Sequence, residues 1–170
     1  MQQVCEGNQS AYQALVNRHA RSVSNYAYRM LGNMRDVEDI TQEAFLRMWL
    51  QAERFEPGKS KLTTWLHRII HNLCVDHLRK FGRIELKNEF EDRVSDDANN
   101  NTRDIDARLV LLQAELMNLP ENQRSALCLC HFQNFSNAEA ADIMNISVKA
   151  LESNLARARR TLRQKLVIQE

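Results

Sequence analysis

The sequence predicts an all-α fold of two small helical domains joined by a flexible acidic linker, the C-terminal one containing a helix-turn-helix. The chain has 170 residues with only 4 Gly and 2 Pro, too few for the frequent turns of an all-β protein. Apolar residues recur at steps of three and four over residues 1–81 and 107–170, as on amphipathic helices. Residues 82–106 are acidic and rich in Asn, with few apolar side chains to bury.

The N-terminal domain is predicted to contain three main helices. An apolar stripe over residues 12–30 predicts the first helix, and Gly32 suits its end. Asp36 is expected to cap the second helix, whose apolar side continues to Met48. The third helix is expected to begin near Thr63, after a loop that contains a Pro-Gly pair.

The C-terminal domain is predicted to contain four helices. Residues 105–116 predict the first, and Pro120 suits the first turn of the second. Residues 136–139 read as a capping box at the start of the third helix. Asn145 tolerates a left-handed turn after it, and Ser147 is expected to cap the last helix. The cations of this last helix are Lys149, Arg157, Arg159, Arg160, Arg163 and Lys165.

The last two helices are typical of a helix-turn-helix. They are both capped and meet at a tight turn, and the second is basic, so it suits the major groove of DNA with its first turns facing base edges. The alternative is an ordinary αα-corner whose basic face is merely solvated. Spacing alone leaves both interpretations open.

The net charge of +1 conceals an uneven distribution. Residues 1–81 carry a net +3, residues 82–106 a net −4 and residues 107–170 a net +2. The near-neutral total is therefore no argument against nucleic-acid binding, since two basic parts flank an acidic one.

A second candidate nucleic-acid surface lies in the loop after the second helix and in the third helix. Cations that track a phosphate backbone, interleaved with aromatic rings that stack on bases, suit single-stranded nucleic acid. The alternative is that the aromatic residues are core and the cations are solvated. The residues concerned are Phe55, Lys59, Lys61, Trp65, Arg68, Arg79 and Lys80.

Metal binding and catalysis are not expected. The spacing of His67, His71 and Cys74 suits zinc ligands on one side of a helix, but one helix rarely supplies a complete tetrahedral set. Cys128 and Cys130 lie in an apolar helix and are expected to be small core residues. The sequence has no phosphate-binding glycine loop, nucleophile motif or metalloprotease spacing, so we expect neither an enzyme nor a cofactor. No apolar run reaches the length of a membrane span.

Two stretches resemble a known family. DVEDITQEAFLRMW, followed by ERF, the Pro-Gly loop and TWLHRIIHNLCVDHLRK, resembles the second conserved domain of bacterial sigma factors. LPENQRSALCLCHFQNFSNAEAADIMNISVKALESNLARARRTLRQKL resembles the fourth. Without a globular domain between them, the chain resembles the short extracytoplasmic-function (ECF) subgroup of the sigma-70 family.

The resemblance implies a transcription initiation factor that binds promoter DNA and the β′ and β subunits of core RNA polymerase. It assigns polymerase binding, on the clamp helices of the β′ subunit, to Asp36, Asp39, Gln42, Glu43 and Phe45. It assigns recognition and melting of the minus-ten element to Lys59, Ser60, Lys61, Thr64, Trp65, Arg68, Asn72, Arg79 and Lys80. It assigns the minus-thirty-five element to Lys149, Glu152, Ser153, Asn154, Arg157 and Arg160.

The resemblance also implies control by an anti-sigma factor and a cytoplasmic location, at the nucleoid when active or held at the inner membrane by that partner. Glu152 and Asn154 depart from the Lys or Arg usual in the family, so we expect an unusual minus-thirty-five sequence. Two other functions compete: a free-standing helix-turn-helix regulator that binds duplex DNA without polymerase, and a helical interaction module with solvated basic faces.

Overall fold

A computed structural model describes residues 1–85 and 103–167, and the side chains of residues 1–80 and 110–165. The described residues form helices and no strand, which confirms the predicted all-α class. Most of the predicted linker, residues 86–102, lies outside the described residues. The helices are α1 (Gln2–Cys5), α2 (Gln9–Leu31), α3 (Met34–Leu50), α4 (Leu62–Glu85), α5 (Arg103–Met117), α6 (Glu121–Leu127), α7 (Asn137–Met144) and α8 (Val148–Val167).

The junction between α2 and α3 follows the prediction with one correction. Gly32 ends α2 in the left-handed conformation, with φ 72°, and its N–H donates to the Tyr28 carbonyl. The prediction that Asp36 caps α3 is wrong, because Asn33 occupies the extended position just before the first helical residue. The Asn33 side chain accepts the N–H of Arg35 at 2.9 Å, and Asp36 lies in the first turn.

The ends of α7 and α8 are formed by the predicted side chains. The Ser136 hydroxyl accepts the N–H of Glu139, and the Glu139 carboxylate accepts the N–H of Ser136, which confirms the capping box. Asn145 takes the left-handed conformation, with φ 52°, at the turn. The Ser147 hydroxyl then accepts the N–H of Ala150 at 3.1 Å and caps α8.

The helix that follows Pro120 begins as an α-helix and continues as a π-helix. Pro120 lies just before α6 rather than in its first turn. Residues Cys128–Phe132 form a π-helical segment, in which the Gln133 N–H donates to the Cys128 carbonyl five residues earlier. This segment packs against α2, where the Arg29 guanidinium lies 4.4 Å from the centre of the Phe132 ring and Gln133 exchanges two hydrogen bonds with Ser22.

The two domains pack on each other and share one apolar core. In the N-terminal domain α2, α3 and α4 surround side chains such as Met30 and Met48, which are fully buried. In the C-terminal domain α6, α7 and α8 surround Leu129 and Leu151. The buried residues of both domains form one continuous cluster, because α4 packs on α7 while α2 packs on α5 and on the π-helical segment. Within the described ranges, no helix is both long enough and apolar enough to cross a membrane.

Candidate nucleic-acid and polymerase interface

A cleft of about 310 Å³ lies where the loop before α4 faces α7. Three of the predicted minus-ten residues from the loop, Lys59, Ser60 and Lys61, line one wall. Thr64 joins them from the first turn of α4. The residues of α7 that form the opposite wall are Ala138, Glu139 and Asp142. The structure therefore brings this part of the predicted site together, but next to a second helix.

The cations of the predicted minus-ten site are mostly engaged with carboxylates. Lys61 Nζ lies 2.9 Å from Glu139 Oε1 of α7. Lys59 instead pairs with Glu56 of its own loop at 2.7 Å. The two remaining contacts are made by arginines of α4: Arg68 with Asp142, and Arg79 with Glu121 at 3.4 Å.

The other predicted minus-ten residues differ in exposure. Thr64 is 3% exposed, so its side chain supports α4 and is not available to DNA in this conformation. Asn72 and Lys80 are exposed on α4. The half-buried Trp65 ring packs against the core, and its centroid lies 5.4 Å from that of the Phe55 ring.

The first turns of α8 present a polar stripe to solvent. The exposed members are Lys149, Glu152, Ser153, Arg157 and Arg160. Asn154 lies on the side of the helix and is half-buried, so it is the least accessible of the six residues predicted to read DNA. The Glu152 carboxylate accepts a weak bond from the Asn137 amide of α7 at 3.5 Å.

One face of α3 is exposed and combines polar with apolar side chains. Asp39 and Gln42, two of the residues predicted to bind polymerase, are exposed. Leu46 and Leu50 continue the same stripe at four-residue steps and are 48% and 70% exposed. We call Asp39, Gln42, Leu46 and Leu50 the α3 face. Neither leucine was among the residues predicted for this surface. Their four-residue spacing from Gln42 nevertheless places them on the same face of the helix.

The other three residues predicted to bind polymerase are either buried or paired with side chains of this protein. Phe45 is 5% exposed on the core side of α3, so this prediction needs correction: its ring packs inside and cannot contact a partner in this conformation. The Asp36 carboxylate lies 3.3 Å from His77 Nε2, and this contact links α3 to α4. Glu43 is half-buried and pairs with Arg47 at 2.7 Å.

The histidines with metal-ligand spacing serve internal hydrogen bonds. His67 Nδ1 donates to the Thr63 carbonyl at 2.8 Å, and Nε2 lies 3.3 Å from the Ser22 hydroxyl. His71 Nδ1 lies 2.9 Å from the Tyr26 hydroxyl. Burial raises the pKa of the Cys74 thiol well above its usual range. Among the residues that the structure describes, no three His, Cys, Asp or Glu side chains are grouped to hold a metal ion.

Comparison with known proteins identifies the family. The family model described as "Sigma-70 region 2" matches residues 15–84, and the one described as "Sigma-70, region 4" matches residues 109–162. The RNA polymerase sigma factor NccH of Alcaligenes xylosoxydans is 32% identical over 164 residues, covering 92% of this chain and 87% of that protein. This chain belongs to the sigma-70 family. The family consists of transcription initiation factors, not enzymes.

Relatives named as ECF sigma factors match over most of the chain and place it in the ECF subgroup. The ECF sigma factor SigE of Mycolicibacterium smegmatis is 37% identical and covers 94% of this chain, which spans 64% of that protein's length. SigW of Bacillus subtilis is 29% identical, covering 98% of this chain and 94% of that protein. These matches extend across both conserved regions.

Two solved structures share the fold of both regions. CnrH, in complex with the cytosolic domain of CnrY, gives a TM-score of 0.74 at 27% identity and covers 99% of this chain and 95% of its own. RpoE of Bartonella quintana, in complex with the anti-sigma factor NepR, gives a TM-score of 0.76 at 23% identity, covering 94% of this chain and 99% of its own. In this sigma factor, region 2 corresponds to α2–α4 and region 4 to α5–α8.

Proposed function

We propose that this sigma factor binds core RNA polymerase and directs promoter-specific transcription initiation. The α3 face carries the proposal. It lies in region 2, it is open to solvent, and it pairs a carboxylate and an amide with two large apolar side chains. Exposed leucines next to polar groups are typical of a protein–protein contact, in which an apolar centre is surrounded by a polar rim.

The minus-ten step is proposed for the loop before α4 and for α4 itself. Lys59, Lys61, Arg68 and Arg79 can neutralise phosphates, and the exposed part of the Trp65 ring can stack on an unpaired base. Strand opening would draw on binding energy alone, by capturing bases once they unstack. No nucleotide hydrolysis by this chain is involved.

The minus-thirty-five step is proposed for α8. Its first turns follow a capped turn and face solvent, which is the geometry of a recognition helix in the major groove. Arg157 and Arg160 suit phosphates or guanine, whereas the Glu152 carboxylate can accept from cytosine N4. Glu152 is therefore the residue expected to make the promoter sequence of this sigma factor differ from that of its relatives.

Control by an anti-sigma factor is part of the proposal. The solved relatives RpoE and CnrH are complexes, and the RpoE partner is named as an anti-sigma factor. We place the chain in the cytoplasm, at the nucleoid when it is active, with retention at the inner membrane by the anti-sigma factor when it is not. Region 2 and region 4 would both be available to such a partner.

Run-off transcription with purified core polymerase tests the function. The full chain should co-elute with core enzyme and produce a transcript from at least one promoter of the host genome. Asp39→Ala combined with Leu50→Ala should reduce co-elution, while Glu6→Ala combined with Met34→Ala, which changes exposed residues outside the α3 face, should not. Absence of both a transcript and co-elution would refute the proposal.

Two competing functions give different results in the same experiment. A free-standing helix-turn-helix regulator would bind duplex DNA without polymerase, and its affinity would depend on α8 but not on α3. An interaction module would bind neither polymerase nor DNA. The exposed α3 face favours the sigma function over the first of these, because a free-standing regulator would leave that face without a role.

A further inference from the structure

Helix α2 is basic and carries no carboxylate. It is 23 residues long and contains no Asp or Glu, although 22 of the 170 residues of the chain are acidic. Its arginines are Arg18, Arg21 and Arg29. The neighbouring helix α3 is different, because it mixes both signs of charge and pairs Glu43 with Arg47. Since α2 has no counter-charge of its own, it presents a positive field to whatever approaches it.

Four exposed side chains of α2 form one stripe along the helix. Arg18, Arg21, Asn25 and Tyr28 follow one another at steps of three, four and three residues, which places them on the same side of α2. We call these four residues the α2 face. At a rise of about 1.5 Å per residue, the stripe is roughly 15 Å long. It is therefore long enough to contact more than one unit of an extended ligand.

The two arginines of the α2 face form no ion pair with any residue that the structure describes. The cations of the minus-ten surface are held differently, because Lys61, Arg68 and Arg79 each pair with a carboxylate of α6 or α7. Arginine binds phosphate oxygens through the same donors that it uses for a carboxylate. The α2 face thus offers two guanidinium groups that can bind phosphates without first breaking an ion pair.

Tyr28 adds an aromatic ring to the α2 face. Its side chain is 38% exposed. Its backbone carbonyl accepts the Gln113 amide of α5 at 2.9 Å and the Gly32 N–H at 2.8 Å, so the backbone that carries the ring is fixed by two bonds. Exposed rings next to cations are typical of proteins that bind single-stranded nucleic acid, in which bases stack on the rings and phosphates contact the cations. The Asn25 amide, between the arginines and the ring, can bond a base edge.

The α2 face belongs to the same helical bundle as the proposed minus-ten site. The Ser22 hydroxyl lies 3.3 Å from His67 Nε2, and the Tyr26 hydroxyl lies 2.9 Å from His71 Nδ1. Both pairs advance by four residues, so α2 and α4 run side by side in the same direction. A strand that is bound at the loop before α4 therefore meets a second cationic surface on the adjacent helix.

Building on the proposed function, we infer that the α2 face binds the non-template strand of the opened promoter, next to the stretch that is bound at the minus-ten site. Arg18 and Arg21 bind its phosphates, and Tyr28 stacks on one of its bases. An acidic protein segment would use the arginines but would give the exposed ring no role, so the nucleic acid is the better fit. The contact holds a longer part of the separated strand and slows its return to the duplex.

Site-specific photocross-linking in the promoter complex tests the contact directly. Core polymerase, the full chain and a promoter that carries a single iododeoxyuridine in the non-template strand are assembled and irradiated, and the cross-linked peptides are identified by mass spectrometry. The label is moved along the strand from one promoter to the next. At one or more positions outside the minus-ten element it should attach to Tyr28. Tyr28→Phe should keep this cross-link, because its ring still stacks, whereas Tyr28→Ala should abolish it.

Two outcomes would overturn the inference. One is a set of promoters in which labels within the minus-ten element cross-link to the loop before α4, while no non-template position cross-links to α2. The other is a cross-link of α2 to a transcript labelled in the same way but not to the non-template strand. Failure of the proposed function looks different, because the chain would then neither co-elute with polymerase nor produce a transcript, and no promoter complex would form.

Binding of a labelled single-stranded oligothymidylate to the free, full chain tests the same surface without polymerase. Arg18→Gln with Arg21→Gln should weaken binding several-fold in fluorescence anisotropy. The slope of log affinity against log salt concentration should become shallower by about 0.7 for each lost phosphate contact. The matched control is Arg35→Gln with Arg54→Gln, which removes the same charge from exposed positions outside the α2 face. Equal affinities of the two double variants would contradict the inference, and weaker co-elution with core polymerase in addition would assign the surface to an acidic protein.

Tyr28 separates stacking from charge. Tyr28→Ala should lower the affinity for the single strand several-fold and leave the affinity for a duplex of the same length unchanged, because paired bases do not offer their faces to the ring. Tyr28→Phe should bind the single strand as the unsubstituted protein does. An equal loss for single strand and duplex, or no loss for either, would contradict the inferred stacking contact.

Discussion

The Tyr26 hydroxyl lies 2.9 Å from Nδ1 of His71 in the interior of the protein. Tyr26 belongs to α2 and His71 to α4, and both are buried, so this bond joins the two longest helices of region 2. Burial raises the pKa of Tyr26 well above its usual value and lowers that of His71 to about 4. Both side chains are therefore neutral near pH 7, where burial of a charge would be costly.

Tyr26→Phe should destabilise the protein by about 1–3 kcal/mol, because the buried ring nitrogen of His71 loses its partner while the aromatic packing is kept. Tyr28→Phe is the matched control, since Tyr28 is 38% exposed, and it should change stability by less than about 0.5 kcal/mol. Denaturant unfolding followed by circular dichroism measures both. A loss no greater than that of the control would mean that the Tyr26–His71 bond contributes nothing net.

Acid should destabilise the protein in a defined range. The unfolded chain protonates His71 near pH 6.5, whereas the folded protein does so only near pH 4, so the free energy of unfolding should fall as pH drops through this window. The shift corresponds to roughly 3 kcal/mol at most. His67, whose pKa burial also lowers, adds to the loss in the same direction.

His71→Gln should flatten this pH dependence even if it lowers stability at pH 7. Unfolding free energies measured at several pH values between 7 and about 4 give the slope. His131→Gln, at an exposed position, is the control and should leave the slope as in the unsubstituted protein. The assignment to His71 fails if its substitution leaves the slope equally unchanged.

The local features of the fold were predictable because adjacent residues determine them. Gly32 at a left-handed position, the Ser136–Glu139 capping box and Asn145 in the turn each follow from the chemistry of a few neighbouring residues. Asn33 was missed as the cap of α3 because Asp36, an equally good capping residue, lies three positions later. The π-helical segment has no simple sequence signal.

The site was predicted less completely than the fold. Which faces of the helices are exposed could be read from periodicity only in part: Phe45 and Thr64 are buried, while Leu46 and Leu50 are exposed. The contact of Lys61 with Glu139 joins residues 78 positions apart. No local pattern specifies such a pairing, because it depends on how the two helical domains pack on each other.

Arg124→Met should lower the free energy of unfolding by about 2–3 kcal/mol. The buried guanidinium donates to the carbonyls of Met30, Met117 and Leu119, which close the ends of α2 and α5, and methionine keeps the apolar stem but no donor. Burial lowers the pKa of Arg124, which is consistent with a poorly solvated group. Arg21→Met on the exposed side of α2 should have little effect, and equal effects of the two changes, measured by urea unfolding, would exclude this role.

Leu50→Ala should weaken polymerase binding about tenfold with almost no change in protein stability. Leu50 is 70% exposed in the free protein, so its truncation removes contact area only in the complex. Met34→Ala is the matched control, because Met34 is 59% exposed at the start of the same helix but off the α3 face. Competition for labelled core polymerase measures both affinities, and indistinguishable values would remove Leu50 from the interface.

Arg160→Ala should weaken binding of a minus-thirty-five duplex by roughly 1–3 kcal/mol, because Arg160 continues the exposed stripe of α8. If the lost contact is to a phosphate, the slope of log affinity against log salt concentration should also become shallower by about one. Asn154→Ala should have a smaller effect, since that side chain is half-buried on the side of the helix. Arg35→Ala controls for the loss of a positive charge away from α8. Anisotropy titrations at several salt concentrations separate these cases, and an Arg160 variant that matches the Arg35 control in both affinity and slope would exclude Arg160 from the DNA-reading surface.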